Sequence, residues 1–261
     1  MQALAELTLF TDIPSLTAAF VAVFLVGLSK GGLGGAFALM GVPILSLVMS
    51  PVQAAALLLP VLLMMDAVSL WTWRGWFDRA TLWHILPGAA LGIAIGGLTA
   101  AYTPESMVRL LVGVIALGFV ARMALTRGKR PGQAAGQNRA RGTIWGSVAG
   151  FTSFVAHAGG PPFQIYTLPL RLDPRVYTGT SVIFFAVVNV VKLVPYAALG
   201  QFTAPTMISA LVLLPLAVIS TLLGAAIIKR LRAEVFYPLM YAMITLVGLK
   251  LVWDGFSALL A

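Results

Sequence analysis

Apolar stretches recur along the whole chain, at residues 14–29, 36–49, 51–73, 80–101, 105–126, 143–157, 163–170, 176–199, 206–228 and 236–257. No other feature restricts the fold as strongly. A helical crossing of a bilayer takes about 20 apolar residues, and backbone polar groups cannot be left unbonded in hydrocarbon. The chain therefore reads as an all-α polytopic membrane protein. Composition agrees: 60% of the 261 residues are hydrophobic and 10% charged, against roughly 45–50% and about 25% in soluble globular domains. A mean hydropathy of +0.97 excludes disorder. The length allows at most about ten crossings and no folded soluble domain.

The 17 basic and 8 acidic residues leave a formal charge of +9, and a pI near 10.4 would suggest nucleic acid in a soluble protein. Here the cations cluster in short loops between apolar runs, the distribution expected of cytoplasmic loops facing anionic headgroups, so the lipid bilayer and not nucleic acid is the expected partner. With no cysteine, disulfides, iron–sulfur clusters and thiolate metal sites are excluded, and no cofactor is expected. The first residues carry Glu6 and Asp12 but no Lys or Arg, unlike the basic start of a cleaved signal peptide, so the first apolar run is expected to stay.

The connection from Arg127 to Arg141 holds five cations and no acid within a Gly/Pro/Gln-rich stretch, which places it in the cytoplasm. Walking backwards, the 102–105 turn is then outside, the Arg74–Arg79 loop inside and the Ser50 turn outside. Arg109 and Arg122 are expected near the ends of the 105–126 span. Lys229, Arg230 and Arg232 reach the cytoplasm only if the short runs 143–157 and 163–170 enter and return to one side. The same parity applied to 14–29 and 36–49 puts both termini in the periplasm of a bacterial inner (plasma) membrane. The expected architecture is two inverted-topology repeats, residues 1–126 and 143–261, joined by a basic linker at 127–142. Each is a broken helix pair, re-entrant or a short hairpin, followed by three transmembrane helices. Gly34-Gly35 and Gly159-Gly160 lie 125 apart, Pro51 and Pro174 lie 123 apart, and Asp66 then falls on Asn189. Pro87 and Gly96 match Pro215 and Gly224 at 128, and Glu105 matches Glu234 at 129.

Non-helical backbone at membrane depth is tolerated only where protein or a polar cavity surrounds it, so the breaks mark a site. The first reads Gly27-Leu-Ser29-Lys30-Gly31-Gly32-Leu-Gly34-Gly35, and the second holds Thr152, Ser153, His157, Gly159 and Gly160 before Pro161-Pro162. Half-helix N-termini and cations both suit an anion. The candidate binding residues are Ser29, Lys30, Gly31, Gly32, Gly34, Gly35, Ser153, His157, Gly159, Gly160, Gln164, Asn189 and Lys192. Lys192 lies in the middle of its span, where a bare charge costs at least about 2.5 kcal/mol. Asp66, the acid in the middle of the second span, and His157 are the candidates for proton coupling, with pairing to a lysine the structural alternative for Asp66. Trp71, Trp73, Trp76 and Trp83 read with Arg74, Arg79 and His84 as an interfacial belt. Tyr196, Tyr237 and Tyr241 read as packing. Glycines at 88, 92 and 96 suit close helix contact, as an internal seam or as the face of a homodimer.

At these residues the chain resembles the TauE/SafE sulfite exporter family. The resemblance rests on Gly27-Leu-Ser29-Lys30-Gly-Gly-Leu-Gly34-Gly35 leading to Val42-Pro43-Ile-Leu and Ser50-Pro51-Val-Gln53-Ala, and on the Gly150 to Pro162 break leading to Leu168-Pro169-Leu. It implies a small inner-membrane protein of two related halves that exports sulfite, sulfonates or related organosulfur anions; the matching breaks themselves lead us to expect the anion between them, and inverted repeats to expect alternating access. Pro161-Pro162 and His157 depart from a plain glycine-rich second motif. The competing readings are a transporter of another solute, including a cation held by Asp66, and an intramembrane enzyme. The chain has no Gly-x-Ser-x-Gly, no His-Glu-x-x-His and no cysteine, so the enzyme reading lacks a nucleophile or metal motif.

Overall fold

The computed structural model describes residues 7–33, 37–99, 102, 104–126, 134–156, 158–198, 200 and 202–260. Among them the regular elements are helical: α1 (Ile13–Leu28), α2 (Gly41–Leu45), α3 (Pro51–Thr72), α4 (Arg79–Thr99), α5 (Glu105–Thr126), α6 (Arg139–Ala156), α7 (Gly160–Thr167), α8 (Pro174–Ala198), α9 (Ala204–Arg230) and α10 (Ala233–Leu260). Six helices are long and apolar enough to cross a membrane, and Ser106–Ala121 within α5 forms a shorter apolar stretch. The element order of the first half, from a helix and a break through a short helix to three long helices, recurs in the second. α1 runs on into a π turn at Ser29–Leu33, and Ile13–Gly32 together reaches spanning length.

Helix starts follow from local chemistry. Asp12 caps α1 through the Ser15 amide at 2.8 Å, and the Ser15 amide and hydroxyl hold the Asp12 carboxyl below its usual range. Ser50 and Gln53 form a capping box at α3, with Pro51 in the first turn where its missing N–H costs nothing.

Packing divides the chain into two compact units, residues 1–75 with 185–230 and residues 76–184 with 231–261. Neither coincides with a sequence half. In the first unit α9 packs on α1 and α3, around a core of Ala22, Val26, Leu57, Val61, Met65, Leu213 and Ala217. In the second, α4 packs on α6 and α5 on α10. The fourth element of each half thus lies against the first element of the other. Small residues permit both contacts. A Cβ on Gly31 would sit 2.3 Å from the Thr221 carbonyl oxygen and one on Gly224 would sit 2.3 Å from that of Leu28. A Cβ on Gly92 would sit 2.0 Å from the Ser147 carbonyl oxygen, and one on Gly150 would sit 2.1 Å from that of Ala89. The Gly88–Gly96 run is therefore an internal seam, in which close backbone approach supplies the van der Waals contact that lipid does not. The second unit also stacks Phe163 on Phe184 at 4.9 Å and Tyr177 against Phe236 at 5.4 Å.

Candidate functional site

The first break is a π turn whose Gly32 sits at φ 141°, a conformation that side-chain-bearing residues rarely adopt. Its freed carbonyls are taken up by α3. The Ser69 hydroxyl donates to the Lys30 carbonyl at 3.1 Å, and the Trp73 indole N–H donates to that of Gly31 at 3.0 Å. Trp73 is 2% exposed, so it is no member of an interfacial belt, whereas Trp71 and Trp83 are exposed. The Lys229 ammonium lies 5.5 Å from the centre of that buried ring.

Around this turn the first unit gathers charge. The Lys30 ammonium donates to Asp66 Oδ1 at 2.5 Å, and the Asn189 amide donates to Asp66 Oδ2 at 2.6 Å. Both carboxylate oxygens are thereby engaged by donors. Lys30 also lies 5.7 Å from the centre of the Phe185 ring. Phe185, Asn189 and Lys192 occupy one face of α8, as Asp66, Ser69 and Trp73 occupy one face of α3. Lys192 is 2% exposed and is close enough to interact electrostatically with both Lys30 and Asp66. Among the described residues it has no ion-pair or hydrogen-bond partner. Two buried hydroxyls in the same unit, those of Ser29 and Thr221, also lack partners. Unpaired polar groups are costly in hydrocarbon, so this collection of donors marks a place where a ligand acceptor is accommodated.

The second break is built differently. Thr152 closes it: its hydroxyl donates to Val148 O at 2.7 Å and to Ala158 O at 3.1 Å, while the Ala158 amide donates back to Thr152 O at 3.0 Å. Gly159 packs so closely that a Cβ would lie 2.8 Å from Ala149 O and from Ser153 Cβ, whereas Gly160 faces open space. Pro161 and Pro162 occupy the first turn of α7 and carry no N–H, so this helix start offers few donors to an anion. Ser153 and Gln164 are buried, Gln164 beside Tyr177.

At one edge of this unit the end of the basic connection is clamped. Gln137 Nε2 donates to Asp78 Oδ1 at 2.9 Å and to Thr81 Oγ1 at 2.8 Å. Its Oε1 accepts from the Tyr166 hydroxyl at 2.9 Å, and His84 Nδ1 lies 3.3 Å from the same oxygen. His84 thus orders a loop rather than simply facing an interface. Tyr237 likewise does more than pack, since its hydroxyl donates to the Leu172 carbonyl and Arg171 lies 4.8 Å over its ring.

Of the residues singled out from sequence, the first unit brings together Lys30, Asp66, Asn189 and Lys192, with Ser29, Gly31 and Gly32 on the adjoining turn. Ser153, Gly159, Gly160 and Gln164 belong to the second unit. Gly34, Gly35 and His157 lie outside the described residues. Trp73, Ser69 and Phe185 were missed, although the i+3 and i+7 spacing from Asp66 marks Ser69 and Trp73 as sharing its face.

Six apolar helices and buried ionisable residues held by a broken helix define a multi-pass membrane transporter handling a small solute. The family described as Sulfite exporter TauE/SafE matches residues 19–251, most of the chain, and the protein belongs to that family. Its members are membrane transporters of sulfite and related anions rather than enzymes. No curated protein and no solved structure matches the chain.

Proposed function

We propose that this protein exports a small sulfur-containing oxyanion, sulfite or a sulfonate, across the bacterial inner membrane by alternating access, and that the anion binds at the first break. The observation that carries the reading is the excess of cationic side chains around one carboxylate: half-buried Lys30 pairs with Asp66, and buried Lys192 lies within electrostatic reach of both without a partner of its own among the described residues. An anion supplies the missing negative charge, and the hydroxyls of Ser29 and Thr221 are the neutral donors nearest in sequence to Lys30 and along α9. A cation held by Asp66 fits less well, because both oxygens already accept hydrogen bonds. Ser153, His157, Gly159, Gly160 and Gln164 stay as candidates that the sequence alone offers at the second break.

The halves are proposed as inverted repeats with both termini periplasmic. Asp66 and Asn189, which correspond in the two halves, touch one another, as residues on an approximate two-fold axis do, and the reciprocal packing of α4 on α6 and α9 on α1 supports the same symmetry. With the cell interior negative, each negative charge leaving gains about 2.3 kcal/mol per 100 mV, so export needs no coupling ion.

The test is thermal unfolding of the purified protein with sulfite, sulfoacetate, taurine, sulfate, acetate or chloride. A ligand at a hundred times its Kd stabilises the folded state by about 2.7 kcal/mol. Stabilisation by sulfite and the sulfonates, and not by acetate or chloride, is expected, and flat curves across the panel would contradict the reading.

A further inference from the structure

The charges around Asp66 also count. With both lysines protonated, Lys30 and Lys192 contribute two positive charges and Asp66 one negative, so the cluster then carries +1. Among the described residues of the elements that face Asp66 directly, no further ionisable side chain changes the sum. On the π turn the neighbours of Lys30 are Ser29 and glycines, and α3 adds Ser69 and Trp73. On α8 the nearby polar group is Asn189, and α9 has no ionisable side chain between Ala204 and Ile228. The Coulombic influences on Lys192 come from Lys30 and Asp66 alone. Lys30 is already compensated, since Asp66 Oδ1 lies 2.5 Å from its ammonium. Lys192 is not, and it is 2% exposed.

A buried site tolerates little net charge, because each uncompensated charge bears the full desolvation penalty. We propose that the site is built for a singly charged oxyanion, with Lys192 as the anion's charge partner and Asp66 as the residue that sets the accepted valence. This rests on the anion reading above and deepens it. The +1 cluster becomes neutral with one monoanion and is left at −1 by a dianion. A sulfonate or the singly protonated form of sulfite fits; the doubly charged form does not. Asn189 holds the second oxygen of Asp66 and so keeps that carboxylate directed at Lys30 rather than at the anion.

The charge count predicts the behaviour of two variants. Lys192→Gln brings the cluster to zero and loses anion affinity altogether. It removes an unpaired buried charge, so it folds at least as well as the parent. Asp66→Asn raises the cluster to +2 and reverses the preference in favour of a dianion.

The experiment is calorimetric titration of the purified full-length protein at pH 6.0, where both lysines are protonated, with methanesulfonate, singly charged, and sulfate, doubly charged and of similar size. The unmodified protein is expected to bind methanesulfonate at least about tenfold more tightly than sulfate. Lys192→Gln is expected to bind neither, and Asp66→Asn to favour sulfate. Sulfate binding as tightly as methanesulfonate in the unmodified protein, or Lys192→Gln binding both as before, overturns the valence proposal while leaving the anion reading intact. Binding of neither anion to the unmodified protein overturns the anion reading itself. If Asp66→Asn does not fold, the unmodified protein and Lys192→Gln decide the matter between them.

Discussion

The two breaks solve one backbone problem with opposite chemistry. At the first, α1 unwinds into a π turn whose carbonyls are answered by side chains of α3, and a lysine enters the membrane paired to an aspartate. At the second, the chain answers its own polar groups through Thr152, and two prolines remove the donors that an anion would use. The glycine seams beside the breaks are alike, with backbone approaching backbone in both units. Close packing has therefore been kept in both units, while the buried ionisable groups gather around the first break. A buried charge is expensive and a satisfied backbone turn is not, so the charged break is where function is expected.

The largest effect expected of a single change is at Lys30. Lys30→Ala leaves Asp66 buried and unpaired, a loss of about 3–5 kcal/mol, and abolishes anion transport. Adding Asp66→Ala to it recovers most of the stability but not the transport. Chemical denaturation alongside liposome flux measures both, and a single variant that transports normally would break the contrast between the breaks.

The seams give the next test. A Cβ at Gly92 meets the Ser147 carbonyl oxygen at 2.0 Å, one at Gly96 meets the Phe154 side chain at 3.2 Å, and one at Gly118 meets nothing within 4 Å. Gly92→Ala should lose about 3 kcal/mol, Gly96→Ala about 1 kcal/mol and Gly118→Ala essentially nothing. Equal melting temperatures for the three would mean that α4 and α6 do not touch along this face.

Trp73→Phe keeps the ring and removes the N–H that answers Gly31, which should cost about 1–2 kcal/mol. Because the carbonyl it frees belongs to the first break, anion affinity should fall with stability, as titration of the variant would reveal. Gln137→Ala is the mildest. It removes donors to Asp78 and Thr81 and an acceptor for Tyr166 at an exposed edge, for about 1 kcal/mol, with faster hydrogen exchange at 134–138 and transport unchanged.

Much of this was legible beforehand. Apolar runs located the long helices, and the paired Gly-Gly breaks separated α1 from α2 and α6 from α7. The Asp66–Asn189 correspondence picked out two residues that prove to be hydrogen-bonded, although the spacing did not say that they meet. Other features needed the fold. Trp73 reads as interfacial beside Arg74, and only the position of the π turn gives its N–H a buried acceptor. The length of α1 was hidden because a glycine-rich stretch signals a break whether the helix stops or merely widens. The exchange of α4 and α9 between halves is tertiary, since glycine spacing predicts a close neighbour without naming which helix it is.

The most direct test of the account is sulfite efflux from liposomes containing the purified protein, compared with liposomes containing an equal amount of folded Lys192→Gln. An uncompensated Lys192 as the anion's charge partner predicts efflux in the first and background leakage in the second. Undiminished efflux through Lys192→Gln would contradict it and move the anion away from the charged break.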